Sequence, residues 1–283
     1  MKLNRHDRLP LTCTREGTCC HGKAVWIHPG ELARLAAHLG RPAAAVVKEH
    51  TVDGGIRLRF DGPAGWRGLP ACTFYLPGQG CSAHPGRPLA CRLYPLGRER
   101  QGAKVRYLHE GKIFPCLTGC PSVVTLPSLT VGTYLDGQEA GPGEQAQDAY
   151  LDLASDLAEA AFAVAFDSGL VAAGHPLLPA WLAVVAQAPD QRAEALGPWA
   201  ETLLGLDADH GEEPGSGPWI AAHRAHLQAR LQAKFAALPD PAALTAASAT
   251  CLGMALHLIQ SLGGDPTAAA ERWLARAKGL GAR

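Results

Sequence analysis

The sequence lacks a charge excess of either sign. Lys plus Arg and Asp plus Glu both number 26 in 283 residues. Bulk charge therefore gives no pull toward nucleic acid or an anionic membrane. No leader is expected, since MKLNRHDRLPLTC carries charge with no apolar run behind it. The apolar runs of the C-terminal part fall far short of the ~18 residues that a membrane span needs. The expectation is a cytoplasmic chain with no nucleic acid and no membrane among its partners. Common catalytic signatures are absent too. There is no phosphate-cradling Gly-x-x-x-x-Gly-Lys-Ser/Thr loop and no Gly-x-Gly-x-x-Gly after a strand. There is no Gly-x-Ser-x-Gly elbow and no Cys-x3-Cys-x2-Cys run of the radical S-adenosylmethionine type.

What is present is a concentration of sulfur. Eight of the nine cysteines, Cys13, Cys19, Cys20, Cys72, Cys81, Cys91, Cys116 and Cys120, lie between residues 13 and 120, and the 163 residues after Cys120 hold one. In a reducing compartment such clusters are metal ligands or redox thiols more often than disulfides. Several thiolates must converge within about 2.3 Å of a metal, and Gly and Pro beside the cysteines let the backbone turn tightly enough to bring them there. The spacing is C-x5-C-C, a gap, C-x8-C-x9-C, then C-x3-C. That is neither a zinc ribbon nor a bacterial ferredoxin run. Both zinc and iron–sulfur clusters accept four thiolates, so spacing alone leaves the metal open. Cys19 and Cys20 are adjacent, and neighbours in extended backbone point to opposite faces. On that reasoning they serve two metals, or one is a ligand and the other a spare thiol. One grouping joins one of that pair with Cys81, Cys91 and Cys13. Cys72, Cys116, Cys120 and the other member then form a second site or line the first.

The pattern predicts an α+β chain, mostly α: a small, irregular cysteine-rich metal-binding domain over residues 1–135, then an α-helical domain over 145–283. Residues 25–27, 56–60, 72–76 and 105–108 read as strands. Helices are expected from Pro29 to a stop at Gly40, over 42–49 and over 87–93. Residues 121–144 read as irregular, with the Gly/Pro-rich stretch 136–143 as the boundary. Further helices are expected near 145–168, 177–187, 190–204, 217–237, 241–262 and 266–278. Asp240-Pro241 and Asp265-Pro266 each pair an N-cap with a proline in the first turn. Cys251 falls on an apolar helix stripe with Leu244 and Met254 and reads as core. His175, His210, His223, His226 and His257 read as solvated or locally satisfied. The basic residues from Arg87 to Arg106 read as a solvated face around an anionic thiolate cluster. Arg87 and Arg92 flank Cys91 and are candidates to neutralise a bound cofactor from behind its ligands. His21 and His84 could replace a thiolate or hydrogen-bond to a ligand.

The run Cys72-Thr-Phe-Tyr-Leu, Cys81-Ser82, Arg87-Pro88, Cys91-Arg92 and Tyr94-Pro95 resembles the YkgJ-type cysteine-cluster family, as does the opening Cys13-x5-Cys19-Cys20. The likeness covers about residues 10–122. His84 departs from it, standing where an aromatic residue is usual. The resemblance implies zinc or iron chelation. The wider family includes flagellin lysine N-methylase, associated with a 4Fe–4S cluster and S-adenosylmethionine, which favours an iron–sulfur cluster, one or two, over zinc. The methylase activity does not carry over, because the substrate-binding parts are not matched. Three functions follow: an iron–sulfur protein whose helical domain takes a protein partner or substrate, a structural zinc module, or a thiol redox and metal-handling protein.

Overall fold

The computed structural model describes residues 2–9, 17–109, 129–236 and 240–283. Cys13, Cys116 and Cys120, with the loops expected around them, lie outside the described residues. The architecture is α+β and mostly α, with small sheets in the N-terminal region and helices after it.

The first helix, α1 (Pro29–Leu39), follows from its sequence. Pro29 supplies a preset φ in the first turn, and the Glu31 carboxylate receives the His28 backbone N–H at 3.2 Å. Leu32, Leu35 and Ala36 are buried on one face, and Gly40 ends the helix at φ 62°, left-handed as a C-terminal glycine allows. Helix α2 (Ala43–His50) runs into a hairpin of β3 (Thr51–Val52) and β4 (Arg57–Leu58). The expected strand 56–60 is thus cut to two residues, because its partner offers only two. Val25–Ile27 forms no named strand yet lies alongside: Ile27 N–H reaches Ile56 O at 2.8 Å and Leu58 N–H reaches Val25 O at 2.9 Å.

Next come β5 (Gly62–Ala64) with β6 (Pro70–Ala71), and β7 (Tyr75–Leu76) with β8 (Gly80–Cys81). Residues 72–74 turn instead of extending, since Tyr75 N–H bonds back to Cys72 O at 2.9 Å. Helix α3 (Leu89–Leu93) carries Cys91. A longer hairpin follows, β9 (Leu96–Gln101) and β10 (Lys104–His109), joined on its free edge by β1 (Lys2–Leu3). Strand β2 (Arg8–Leu9) pairs with β11 (Leu129–Thr130). Residues 131–137, expected to be irregular, form helix α4, capped by Thr130 Oγ1 accepting from Thr133 N–H.

The helical part begins at Gly141, inside the stretch expected as a boundary. It comprises α5 (Gly141–Phe166), α6 (Leu178–Val185), α7 (Pro189–Leu196), α8 (Pro198–Leu204), α9 (Gly217–Phe235), α10 (Pro241–Ser261) and α11 (Pro266–Gly279). The expected single helix 190–204 is broken at Gly197 (φ 55°, ψ −126°), where Pro198 starts a new one. Both Asp-Pro starts form as expected, with Asp240 accepting from Ala243 N–H and Asp265 from Thr267 and Ala268 N–H. Every residue from Cys251 to Leu258 is buried, so the C-terminal half of α10 is enclosed on all sides, whereas its first half, 241–250, buries only Ala247 and Ser248. By length and composition alone it would cross a membrane, contrary to the expectation of short apolar runs, but enclosure in the core accounts for that composition.

The cores fall into three clusters. One fills the helical part around Trp181, Phe162 and Met254. A second packs α1 and α2 beneath Cys72 and Phe74. A third joins Leu89 and Leu93 of α3 to Leu3, Tyr107, Val131 and Tyr134. Arg98 of β9 clamps α5 through two 2.8 Å bonds to Asp148, and the Tyr107 hydroxyl donates to Glu144 at 2.7 Å.

Candidate metal centre

All five described cysteines of the N-terminal region line one cavity of about 60 Å³. Cys19 and Cys20 end the loop before α1, in a 3-10 turn of Thr18–Cys20. That turn is docked by Cys72 N–H donating to Cys20 O at 2.7 Å and Gly22 N–H to Pro70 O at 3.0 Å. Cys72 follows β6, Cys81 closes the β7–β8 hairpin, and Cys91 sits in α3. Helix α3 is held against α1 by Leu89 N–H donating to the Glu31 carboxylate at 2.5 Å. Four segments, one of them carrying the adjacent pair, thus deliver five sulfurs to one place.

The Cys19 and Cys20 sulfurs are 3.9 Å apart. The extended backbone assumed for this pair is absent; a 3-10 turn brings both side chains to the same cavity. Close backbone approach makes this possible. A Cβ on Gly17 (φ +75°) would lie 2.4 Å from the Tyr75 ring, and one on Gly65 would lie 2.2 Å from His21 Nε2. His21 is buried, with Nδ1 2.9 Å from Gly17 O and Nε2 without a partner. It braces the loop, and it is not among the residues lining the cavity.

The thiols feel one another. Burial pushes the Cys72 thiol up to about 11, helped by the nearby Cys81 and Cys19 sulfurs. Burial raises Cys91 strongly as well; the Lys23 ammonium pulls it down, and Cys72, Cys19 and Cys81 push it up. Cys19, Cys72, Cys81 and Cys91 therefore form one electrostatic group. None of the six described cysteines is in a disulfide. Among the described residues no three Cys, His, Asp or Glu side chains stand close enough to share a single ion. The cysteines instead surround a space several times the ~10–15 Å³ that one water needs.

Lys23 lines this cavity with its Nζ over the Tyr94 ring. Sequence reasoning missed it; its only signal was its place three residues after Cys20. Of the two arginines, Arg87 lines the cavity and bonds the His84 ring and the Gln138 side chain. Arg92 does not line it. It is buried and donates to the carbonyls of Pro85, Arg87 and Gln138 at 2.5, 3.2 and 2.8 Å. It ties the segment 85–92 to the turn after α4.

Residues 12–108 match the model of the CxxCxxCC family, described as "Putative zinc- or iron-chelating domain". The match covers about a third of the chain and makes this segment similar to that domain. It contains Cys13 and the five cysteines of the cavity, while Cys116 and Cys120 lie beyond it. Its description supports zinc or iron as the partner of the chelating domain. No curated protein and no solved structure matches the chain.

The donor set fits a metal centre. It is sulfur-rich, walled by Val25, Leu35, Phe60 and Phe74, and has the Lys23 and Arg87 cations beside it. A bound metal deprotonates thiols outright, which answers the burial that otherwise keeps Cys72 and Cys91 protonated. His223 and His257, expected to be solvated or locally satisfied, are both fully buried. His223 is satisfied by the Tyr150 hydroxyl and the Thr202 carbonyl, each at 2.9 Å.

Proposed function

We propose that the chelating domain holds a thiolate-ligated iron–sulfur cluster, of the 4Fe–4S type, in a cytosolic protein. Cys19, Cys72, Cys81 and Cys91 are its ligands, with Cys20 as an adjacent spare thiol. The observation that carries this reading is five cysteines lining one cavity in which, among the described residues, no three stand close enough to share a single ion. A structural zinc site is closed tetrahedrally by its four ligands, whereas a cluster places several atoms between them. Lys23 offsets the negative charge of the bound thiolates, and the apolar wall keeps water from the sulfurs. Cys13, Cys116 and Cys120 are candidates for a second set. The cluster would supply electron transfer or Lewis-acid chemistry to a redox or protein-modification reaction, with the helical part taking the partner.

Anaerobic purification tests this directly. The expected product is brown, with visible thiolate-to-iron absorption and equal iron and acid-labile sulfide. A colourless anaerobic product with stoichiometric zinc and no sulfide overturns it and makes the domain a structural zinc module.

A further inference from the structure

We propose that the cleft of about 480 Å³ between the chelating domain and the helical part is a binding site for a small, uncharged, ring-bearing molecule with a hydrogen-bonding edge. Nothing in the family description assigns this cleft. Its volume lies within the ~300–1,000 Å³ of small-molecule sites. It shares Lys23, Val25, Cys91 and Tyr94 with the cysteine cavity, so the two spaces meet at Cys91.

The chemistry of its walls selects the ligand. Trp26 and Tyr94 bring aromatic rings to the wall, with Lys23 over the Tyr94 ring and Arg57 near the Trp26 ring, and Leu89, Leu93, Leu96 and Leu262 give an apolar surround. His28 lines the cleft, is 2% exposed, and makes no hydrogen bond with either ring nitrogen, its Nε2 lying 3.7 Å from the Glu31 carboxylate. A buried polar group left unpaired is costly, so a side chain kept in that state points to a group that the cleft receives. Burial lowers the His28 pKa, more than the Glu31 carboxylate raises it. The ring is therefore neutral near pH 7 and offers one donor and one acceptor. The charged walls already have company. Arg98 is held by Asp148, the Glu31 carboxylate receives the N–H groups of Leu89 and His28, and Lys23 lies on the Tyr94 ring. An ionic ligand would find no uncompensated opposite charge, whereas a neutral ring with a polar edge matches what remains. The argument does not depend on which metal the cysteines hold.

The test uses the full-length, metal-loaded protein and three probes of one shape: benzimidazole (polar edge), indene (the hydrocarbon) and indole-3-acetate (the anion). Binding is read by equilibrium dialysis, with metal content measured on the same samples. Benzimidazole should bind one per chain, at least about tenfold tighter than either other probe. His28→Phe should weaken benzimidazole about tenfold and leave indene within twofold. Ala90→Trp, on an exposed position lining the cleft, and Gln147→Trp, from the opposite wall, should each abolish binding with metal content unchanged. Equal binding of benzimidazole and indene overturns the proposal. So does benzimidazole binding that survives His28→Phe, which would mark direct ligation of the metal, or binding that survives Gln147→Trp.

Discussion

Cys91 and Cys251 are the same residue in two different kinds of structure. Around Cys91 the described strands run two or three residues, apart from β9 and β10, and the helices nearby are short. Backbone ladders of that length hold little by themselves. Around Cys251 lie α5 and α10, 26 and 21 residues long, packed face to face in the largest core. Cys251 is fully buried, and burial alone pushes its thiol up to about 12, as expected of a small apolar residue in a core. Cys91 faces other sulfurs and a lysine. One region is organised by what its side chains can hold at the centre, the other by what its helices exclude.

Metal removal should break this contrast most strongly. Chelation, or Cys91→Ser, should lose the metal and unfold the chelating domain, because binding energy there is folding energy. The α-helical circular dichroism of residues 141–283 should survive. Cys251→Ser should keep full metal content and cost about 1–3 kcal/mol through an unpaired buried hydroxyl. If both serine variants lose metal and stability alike, the two regions are not held by different means.

The converse change is Trp181→Ala. Trp181 is fully buried, packs edge-on to Phe162 and donates to Ser248 Oγ at 3.0 Å. Its removal should cost about 3–5 kcal/mol, read in urea, with metal stoichiometry unchanged. Metal loss in a folded Trp181→Ala protein would show that the helical core shapes the cysteine cavity.

The legibility of the two regions differs for the same reason. Helices of the second part announce themselves by period and cap, as Asp240-Pro241 and Asp265-Pro266 do. In the first part a strand of two residues carries no period, so the expected strands 56–60 and 72–76 shrink to Arg57–Leu58 and Tyr75–Leu76. Strand β9 was missed because Leu-Gly-Arg-Glu-Arg-Gln has no alternation; its arginines are there for Asp148 and Asp152 of α5. Clustering alone marks the five cavity cysteines among eight candidates, with Cys72 expected in a second site or lining the first; here it lines the same cavity as Cys81 and Cys91. Their relative placement was not legible, because it depends on a 3-10 turn at Cys19–Cys20 and on close approaches at Gly17 and Gly65. Lys23 was invisible because nothing local distinguishes a lysine facing thiols from one facing water.

A smaller effect comes from acid. His223 and His257 have pKa values lowered by burial from 6.5 to about 4. Both favour the neutral ring in the folded state, so the unfolded chain binds more protons between those values. Their contribution is complete above pH 6.5 and is lost as pH falls toward 4. The urea midpoint of the helical part should drop across that window, and His257→Gln should flatten part of the slope. A midpoint constant from pH 7 to 4 would show that neither histidine is buried in solution.

The smallest change probes the seam between the regions. Gly54, in the left-handed turn after β3, donates its N–H to Asp190 Oδ1 of α7 at 2.5 Å, and a Cβ there would lie 2.4 Å from Ala193. Asp190→Ala removes one exposed, charge-assisted hydrogen bond and should cost no more than about 1 kcal/mol. Where that cost falls is informative. If the chelating domain and the helical part unfold as one unit, both near-ultraviolet and far-ultraviolet transitions should shift together by the same small amount. If each region unfolds separately, the bond is lost at the first transition only, and the second should stay where it was.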